Sequence, residues 1–151
     1  MKMNMYDFPP SSEALVKTVI SQMCHCAVKA VANNSKNQMQ AYKSVGAMKS
    51  LVSEQPECAL LLAEIFKGNF EICRRVPEDL IEDFCELILR ERAQNSFVSC
   101  YIDFYMAIVS AGNKPVVRNQ VPVVEALQRG RPDRMLHLLR SSTELERALE
   151  L

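Results

Sequence analysis

The chain has 151 residues, 48% of them hydrophobic, which suits a single domain with one core and excludes an intrinsically disordered protein. Lys and Arg together number 18, as do Asp and Glu, so the formal net charge is zero and no bulk attraction to nucleic acid is expected. No run of about 18 apolar residues occurs, and an acidic residue and a Pro pair stand where a secretory leader needs its apolar region. We therefore expect a soluble, cytoplasmic protein.

The first predicted elements are an extended lead and a long helix. Glycine is scarce while Leu, Ala, Glu and Lys are abundant, a helix-forming composition. Residues 1–11 predict an extended lead, with Ser11 or Ser12 as the N-cap of a helix that ends near Ala32. Apolar residues at helical spacing predict its buried face: Leu15, Val19, Met23, Cys26, Ala30 and Val31.

Two further helical regions follow. Residues 37–53 carry an apolar stripe with Gly46 in the middle, which predicts two short helices with a bend at the glycine. Residues 55–57 predict the start of the next helix, with Pro56 near its first turn, and residues 67–69 predict its end. Its predicted buried face is Leu60, Leu61, Ala63, Ile65 and Phe66.

The second half of the chain also has helical periodicity. Residues 70–76 predict a short helix that ends before Pro77, because the residue before a proline resists the α conformation. The helix that starts at Pro77 has Leu80, Ile81, Phe84, Leu87 and Ile88 as its predicted buried stripe. The next helix is predicted to be capped by Asn95 and Ser96. Its predicted buried face is Phe97, Cys100, Tyr101, Phe104, Ile108 and Val109.

The last predicted helices are shorter. Residues 117–127 contain Pro122 and predict a helix that is bent or begins near that proline. Asp133 is expected to cap a helix over residues 135–139, and residues 141–151 predict a C-terminal helix or a fraying tail. No segment alternates polar and apolar residues with β-branched enrichment, so we predict no strand.

An internal repeat indicates how the helices are arranged. Asn34, Asn69 and Asn113 follow three apolar segments and stand 35 and 44 residues apart, near the period of about 40–47 residues of armadillo and HEAT repeats. Helix pairs with two apolar faces hide them by stacking on one another. We therefore predict an all-α, armadillo/HEAT-like solenoid of stacked helical hairpins over residues 12–140. An irregular helical bundle with Asn-rich loops is the alternative.

The sequence gives little support for catalysis or for a bound cofactor or metal. Cys24-His25-Cys26 is a Cys/His cluster, but a helix points its two thiols about 200° apart, so we expect Cys26 to pack inward. The other cysteines, Cys58, Cys73, Cys85 and Cys100, lie in apolar helical patterns typical of reduced, buried thiols. A cysteine-dependent enzyme at Cys24–Cys26 remains a third functional class, after an interaction module and an adaptor.

An ordered set of motifs resembles the homology domain shared by inositol trisphosphate receptors and ryanodine receptors, the intracellular calcium-release channels. The resemblance covers about residues 26–139, and the motifs that carry it are Lys36-Asn37-Gln38, residues 61–69, residues 84–90, residues 101–104 and residues 113–120. The resemblance implies a non-catalytic, armadillo-like domain on the cytosolic face of the endoplasmic reticulum membrane. Such a domain contacts neighbouring domains of a tetrameric channel and relays conformational change between them.

The resemblance also implies candidate binding residues. Lys36 stands where a loop lysine of the receptor's ligand-binding copy contacts a ligand phosphate, and further interaction loop residues would be Asn37, Gln38, Lys114, Arg118, Asn119 and Gln120. The basic cluster that supplies the other phosphate contacts has no counterpart in residues 12–32, so a phosphate-bearing ligand is expected only together with another domain. A free-standing armadillo-type adaptor that binds a peptide or helix is the alternative function.

Overall fold

The computed structural model describes residues 10–93 and 99–128. The helices in these ranges are α1 (Pro10–Val31), α2 (Ser35–Tyr42), α3 (Val45–Lys49), α4 (Glu57–Phe66), α5 (Phe70–Cys73), α6 (Glu78–Ala93), α7 (Ser99–Val109) and α8 (Val117–Gln128). The all-α class is confirmed for these residues. Residues 1–9 of the predicted lead, the residues Asn95 to Phe97, and the predicted elements beyond 128 lie outside the described residues. The end of the predicted lead was wrong, because α1 already begins at Pro10, before the expected cap at Ser11 or Ser12.

Helix α4 lies at the centre of the molecule. This helix is rich in apolar residues. Seven of its ten residues are buried, because it packs on α1 on one side and on α7 on the other. Helix α7 also contacts α8, and α6 contacts both α7 and α8. The predicted stripes of α4, α6 and α7 are confirmed in their described residues, where Leu60 and Val109 are half-buried and the other members are buried.

Three phenylalanines from three helices form the middle of the core. The ring of Phe104 stacks on that of Phe84 with centroids 3.9 Å apart, and it meets Phe66 edge-on at 5.8 Å. All three side chains are almost completely buried. Aromatic pairs in these arrangements add to the free energy gained from burial alone. The cluster therefore joins α4, α6 and α7 into one packed unit.

Two helix boundaries and one hairpin also differ from the sequence-based expectations. The break between α2 and α3 falls at Lys43 and Ser44, and Gly46 lies inside α3. Helix α8 begins at Val117 rather than near Pro122 and continues through that proline, which forfeits a single backbone hydrogen bond while the helix packs on α6 and α7. The prediction of no strand was wrong at one point: β1 (Ser110–Ala111) pairs antiparallel with β2 (Lys114–Pro115) in a two-residue hairpin.

Helices α1, α4 and α7 are followed by related turns. Each is followed by a residue with positive φ, namely Asn33 (54°), Gly68 (70°) and Gly112 (61°). Asn34 and Asn69 then have nearly the same extended backbone and accept a hydrogen bond from the amide three residues later, so each is the N-cap of a short helix. Asn113 lies instead in the turn of the hairpin. Two of the three repeated asparagines, Asn34 and Asn69, are therefore equivalent helix N-caps, whereas Asn113 is a turn residue of the hairpin.

Two glycines give a matched test of these turns. Gly68 has φ of +70° and Gly46 is helical, and a Cβ at either position would meet no atom within 4 Å. We expect Gly68→Ala to lower the free energy of unfolding by about 1–2 kcal/mol, because a side chain disfavours left-handed backbone. Gly46→Ala should raise it by about 0.5–1 kcal/mol. Urea unfolding measures both, and equal signs for the two variants would contradict the assignment.

Candidate interaction surface

Helix α1 carries a second apolar stripe on its outer side. Leu15, Val19 and Met23 are 65, 49 and 65% exposed, and Cys26 and Ala30 on the same side are exposed as well. At 100° per residue these five positions fall within about 80° of one another around the helix axis. Scattered surface apolar residues are ordinary, but a continuous stripe along four turns is typical of a helix that packs against something else. We call these five residues the α1 outer stripe.

The α1 outer stripe corrects the predicted buried face of this helix. Cys26 is exposed, whereas Cys24 is buried and packs toward α4. The face that meets the core is instead formed by Ile20, Cys24, Ala27 and Val31, of which only Val31 was predicted. Both sides of α1 are apolar at helical spacing, so periodicity alone does not distinguish the inner face from the outer one.

Helix α8 has an outer stripe of its own. Val117, Val121 and Val124 are 62, 56 and 44% exposed and follow the i, i+4, i+7 spacing of one helix face. Its inner face holds Asn119, Val123 and Ala126, which are buried. Helices α1 and α8 are not immediate neighbours, since α4 and α7 lie between them in the series of contacts. The described part of the chain therefore offers two separate apolar surfaces.

Lysines stand beside the α1 outer stripe. Lys29 flanks the stripe in the last turn of α1, and Lys36 is exposed in the first turn of α2. Neither lysine takes part in a salt bridge with any residue the structure describes. Lys17, by contrast, lies 2.8 Å from Glu13, and this hydrogen bond lowers the pKa of the Glu13 carboxyl. No described residue therefore compensates the positive charges of Lys29 and Lys36.

The first predicted motif, Lys36-Asn37-Gln38, is divided between surface and interior. Lys36 points into solvent, while the Asn37 amide donates a hydrogen bond of 2.7 Å to the Ala30 carbonyl at the end of α1. Gln38 is buried and donates to the carbonyls of Glu64 (2.9 Å) and Lys67 (3.0 Å) at the end of α4. Gln38 thereby satisfies two carbonyls that a helix leaves without intrahelical partners.

In the second predicted motif, the side-chain amides of Asn119 and Gln120 also donate hydrogen bonds to backbone carbonyls. Asn119 is buried, and its amide donates to the carbonyls of Cys73 (2.7 Å) and Ile108 (2.9 Å). Gln120 donates to the Val109 carbonyl at 3.2 Å. Both amides therefore tie α8 to the ends of the preceding helices.

The two cations of this region lie at the surface beside the same short helix. Arg118 donates to the Arg74 carbonyl, and the Lys114 ammonium lies 6.0 Å from the Phe70 ring centre. Both side chains are exposed. Of the seven candidate residues, Lys36, Lys114 and Arg118 thus present charge to solvent, while the buried Gln38 and Asn119 serve the fold.

An open cleft between α3 and α6 is lined by a group of charged side chains. It has a volume of about 730 Å³, and Lys49, Asp79, Asp83, Glu86 and Arg90 line it. The Lys49 ammonium lies 2.6 Å from the Asp79 carboxylate and 2.5 Å from that of Asp83. Hydrogen bonds to these carboxylates raise the pKa of Lys49, and the same ammonium lowers the pKa of Asp79. The central charges of this cleft therefore compensate one another.

Metal coordination finds no support in the described part of the chain. In residues 10–93 and 99–128, no three His, Cys, Asp or Glu side chains lie close enough together to hold a metal ion. Cys24 and Cys26 flank His25 but lie on opposite sides of α1, one buried and one exposed. The Cys24–Cys26 cluster therefore lacks the convergence that a zinc site needs.

Comparisons of the chain with protein-family models, with curated proteins and with solved structures gave no match. Among the described helices, none combines the length and the apolar character required to cross a membrane.

Proposed function

We propose that this chain is a non-catalytic helical-repeat module of a ligand-gated intracellular calcium-release channel, where it relays conformational change between neighbouring domains. The α1 outer stripe is the observation that carries the proposal. An apolar stripe of this length is stabilised when a second helix covers it, since about 25 cal/mol is gained per Å² of apolar surface removed from water. A surface of this kind functions by binding a partner rather than by catalysing a reaction.

An armadillo-like arrangement is part of the proposal. Helices α1, α4 and α7 form a series of contacts in which α1 packs on α4, and α4 packs on α7. After α1 and α4, a residue with positive φ precedes the next helix, and after α7 such a residue lies in the turn of the β1–β2 hairpin. This succession supports a stack of related units, in which each unit buries its apolar face against its neighbours.

The channel assignment is supported by the ordered motifs that resemble the homology domain of inositol trisphosphate and ryanodine receptors. Two of these motifs, Lys36-Asn37-Gln38 and Arg118-Asn119-Gln120, join successive helices through buried amides. A stack joined in this way is stiff, so a displacement at one surface moves the other surface with it. Differential contacts at the two outer stripes would then bias the closed and open states of the channel.

The partner of the α1 outer stripe is an amphipathic helix of a neighbouring domain. Its apolar side would cover Leu15, Val19 and Met23. Acidic residues near one end would face Lys29 and Lys36, whose charges no described residue compensates. Contacts of this kind are partly polar and adjustable, as is usual between domains that move relative to one another.

Two measurements test the proposal. An antibody raised against this chain should detect, in endoplasmic reticulum membranes, a polypeptide much larger than the 17.1 kDa of the chain. In that polypeptide, Val19→Glu should shift the ligand concentration for half-maximal calcium release by about fivefold or more, the low end of common allosteric couplings. The reason is that a carboxylate in the stripe opposes docking of the partner helix.

Thr18→Glu is the matched control for Val19→Glu. Thr18 is exposed on α1, next to Val19 in the chain but about 100° away around the helix. The control adds the same charge and should leave calcium release unchanged. A product of about 17 kDa in the cytosol, whose partner binding Val19→Glu abolishes, would contradict the channel assignment and favour the adaptor. Equal responses of the two variants would contradict the role of the stripe.

A further inference from the structure

Two buried thiols from different helices lie side by side. The sulfur atoms of Cys24 on α1 and Cys58 on α4 are 3.3 Å apart, and the two residues are 7 and 2% exposed. The buried thiols of Cys73 and Cys100 have different surroundings, since they donate to the backbone carbonyls of Phe66 and Pro56. Cys24 and Cys58 therefore form a thiol pair within the α1–α4 interface.

We propose that Cys24 and Cys58 form an oxidation site, which a small hydroperoxide converts into a disulfide that joins α1 to α4. The sulfur atoms are already in contact, so closing to the ~2.05 Å of an S–S bond requires a movement of about one ångström. Side-chain rotation about χ1 in two neighbouring helices supplies a movement of that size.

The chemistry takes two balanced steps. The Cys24 sulfur attacks one oxygen of hydrogen peroxide, the O–O bond breaks, and the products are Cys24 sulfenic acid and one water molecule. The Cys58 sulfur then attacks the Cys24 sulfur, the S–O bond breaks, and the leaving oxygen takes the Cys58 proton as a second water molecule. Two thiols are oxidised to one disulfide, and one peroxide is reduced to two waters.

The surroundings determine the order of attack and the size of the oxidant. Burial, followed by the hydrogen bond with Cys24, raises the pKa of the Cys58 thiol to about 12, so Cys58 remains protonated at neutral pH. Cys24 is the more exposed of the two and therefore reacts first. A thiol that is 7% exposed admits a peroxide but not a tripeptide disulfide. Cys26, exposed on the opposite side of α1, is open to larger reagents.

The disulfide would have a mechanical consequence. It would enclose the 34-residue separation between the two cysteines, which contains α2 and α3, and would prevent α1 from parting from α4. A covalent link across a long loop stabilises the folded state mainly by restricting the unfolded chain. The α1 outer stripe would then be held rigidly on the rest of the molecule. The inference does not depend on the identity of any partner or channel.

Peptide mapping of the full chain tests the site. Cys24 and Cys26 fall in one tryptic peptide between Lys17 and Lys29, so the experiment uses Cys26→Ser as the background. After hydrogen peroxide, catalase and iodoacetamide, a non-reducing digest should contain the peptide linked through Cys24 and Cys58. The melting temperature should rise by about 5–10 °C and return to its original value with dithiothreitol.

Variants that lack one cysteine of the pair are the controls for this experiment. Adding Cys24→Ser or Cys58→Ser to that background should abolish the linked peptide and the rise in melting temperature, while circular dichroism shows that the helices are retained. In the wild-type chain, oxidised glutathione should modify Cys26 and leave the pair reduced. Failure to form the linked peptide, while circular dichroism shows an intact fold, would overturn the proposal. A link that involves Cys73 or Cys100 at comparable yield would also overturn it.

Discussion

Phe104→Ala is expected to lower the free energy of unfolding by about 3–5 kcal/mol, the usual cost of truncating a fully buried phenylalanine. Phe104 is 0% exposed and contacts rings from two other helices, stacked on Phe84 and edge-on to Phe66. Removing the ring leaves a cavity where α4, α6 and α7 meet. Because a domain of this size has only about 5–15 kcal/mol of stability, the variant should be close to unfolding at 37 °C.

Urea unfolding followed by circular dichroism measures the effect of Phe104→Ala. The control is Met106→Ala on the same helix, since Met106 is 62% exposed and two residues away. Exposed substitutions of this kind usually change stability by less than about 0.5 kcal/mol. A loss below 1 kcal/mol for Phe104→Ala, or equal losses for the two variants, would contradict the central position of the aromatic cluster.

The elements that could be predicted from the sequence are those with a single apolar face. In α4, α6 and α7 one stripe dominates, and the structure buries it almost completely. Turn chemistry was equally informative, because Gly68 and Asn69 end one helix and begin the next through positive φ and a side-chain cap. Helix ends can be predicted from the local sequence where a single residue type meets a single requirement of the backbone, such as positive φ or a side-chain cap.

The inner face of α1 could not be predicted, because this helix has two apolar sides. Leu15, Val19 and Met23 are larger than Cys24 and Ala27, so hydrophobicity favoured the side that the structure leaves exposed. The choice between them depends on which side meets α4, a contact between residues far apart in the chain. The same ambiguity is what marks the outer side as a candidate interaction surface.

The hydrogen-bonding roles of the Gln38 and Asn119 side-chain amides also could not be predicted from local sequence patterns. Gln38 and Asn119 were candidates for surface contacts because the family resemblance implied interaction loops at these motifs. Three of their four carbonyl partners are 26 to 46 residues away in the sequence, and the fourth, Ile108, is 11 residues away. No spacing rule links an amide to a helix end that distant. A buried amide becomes recognisable only when the helices are placed in space.

Asn119→Ala should lower the free energy of unfolding by about 2–4 kcal/mol, although it removes only a small amide. Both hydrogen atoms of that amide are used, one on the Cys73 carbonyl and one on the Ile108 carbonyl. The residues that carry these carbonyls are completely buried, so water does not replace the lost donors. The control is Gln22→Ala, an exposed amide on α1, for which we expect a change near zero.

Asn119→Asp separates hydrogen bonding from packing, since aspartate matches asparagine in size but offers no donor when ionised. If the amide stabilises α8 through its hydrogen bonds, this variant should lose at least as much stability at pH 7 as Asn119→Ala. The folded state disfavours the buried carboxylate and raises its pKa, so the loss relative to wild type should shrink as the pH falls and the carboxyl becomes a donor. Urea unfolding at pH 7 and pH 5 measures the difference. A near-neutral Asn119→Asp at pH 7 would mean that volume, rather than hydrogen bonding, anchors α8 to the ends of α5 and α7.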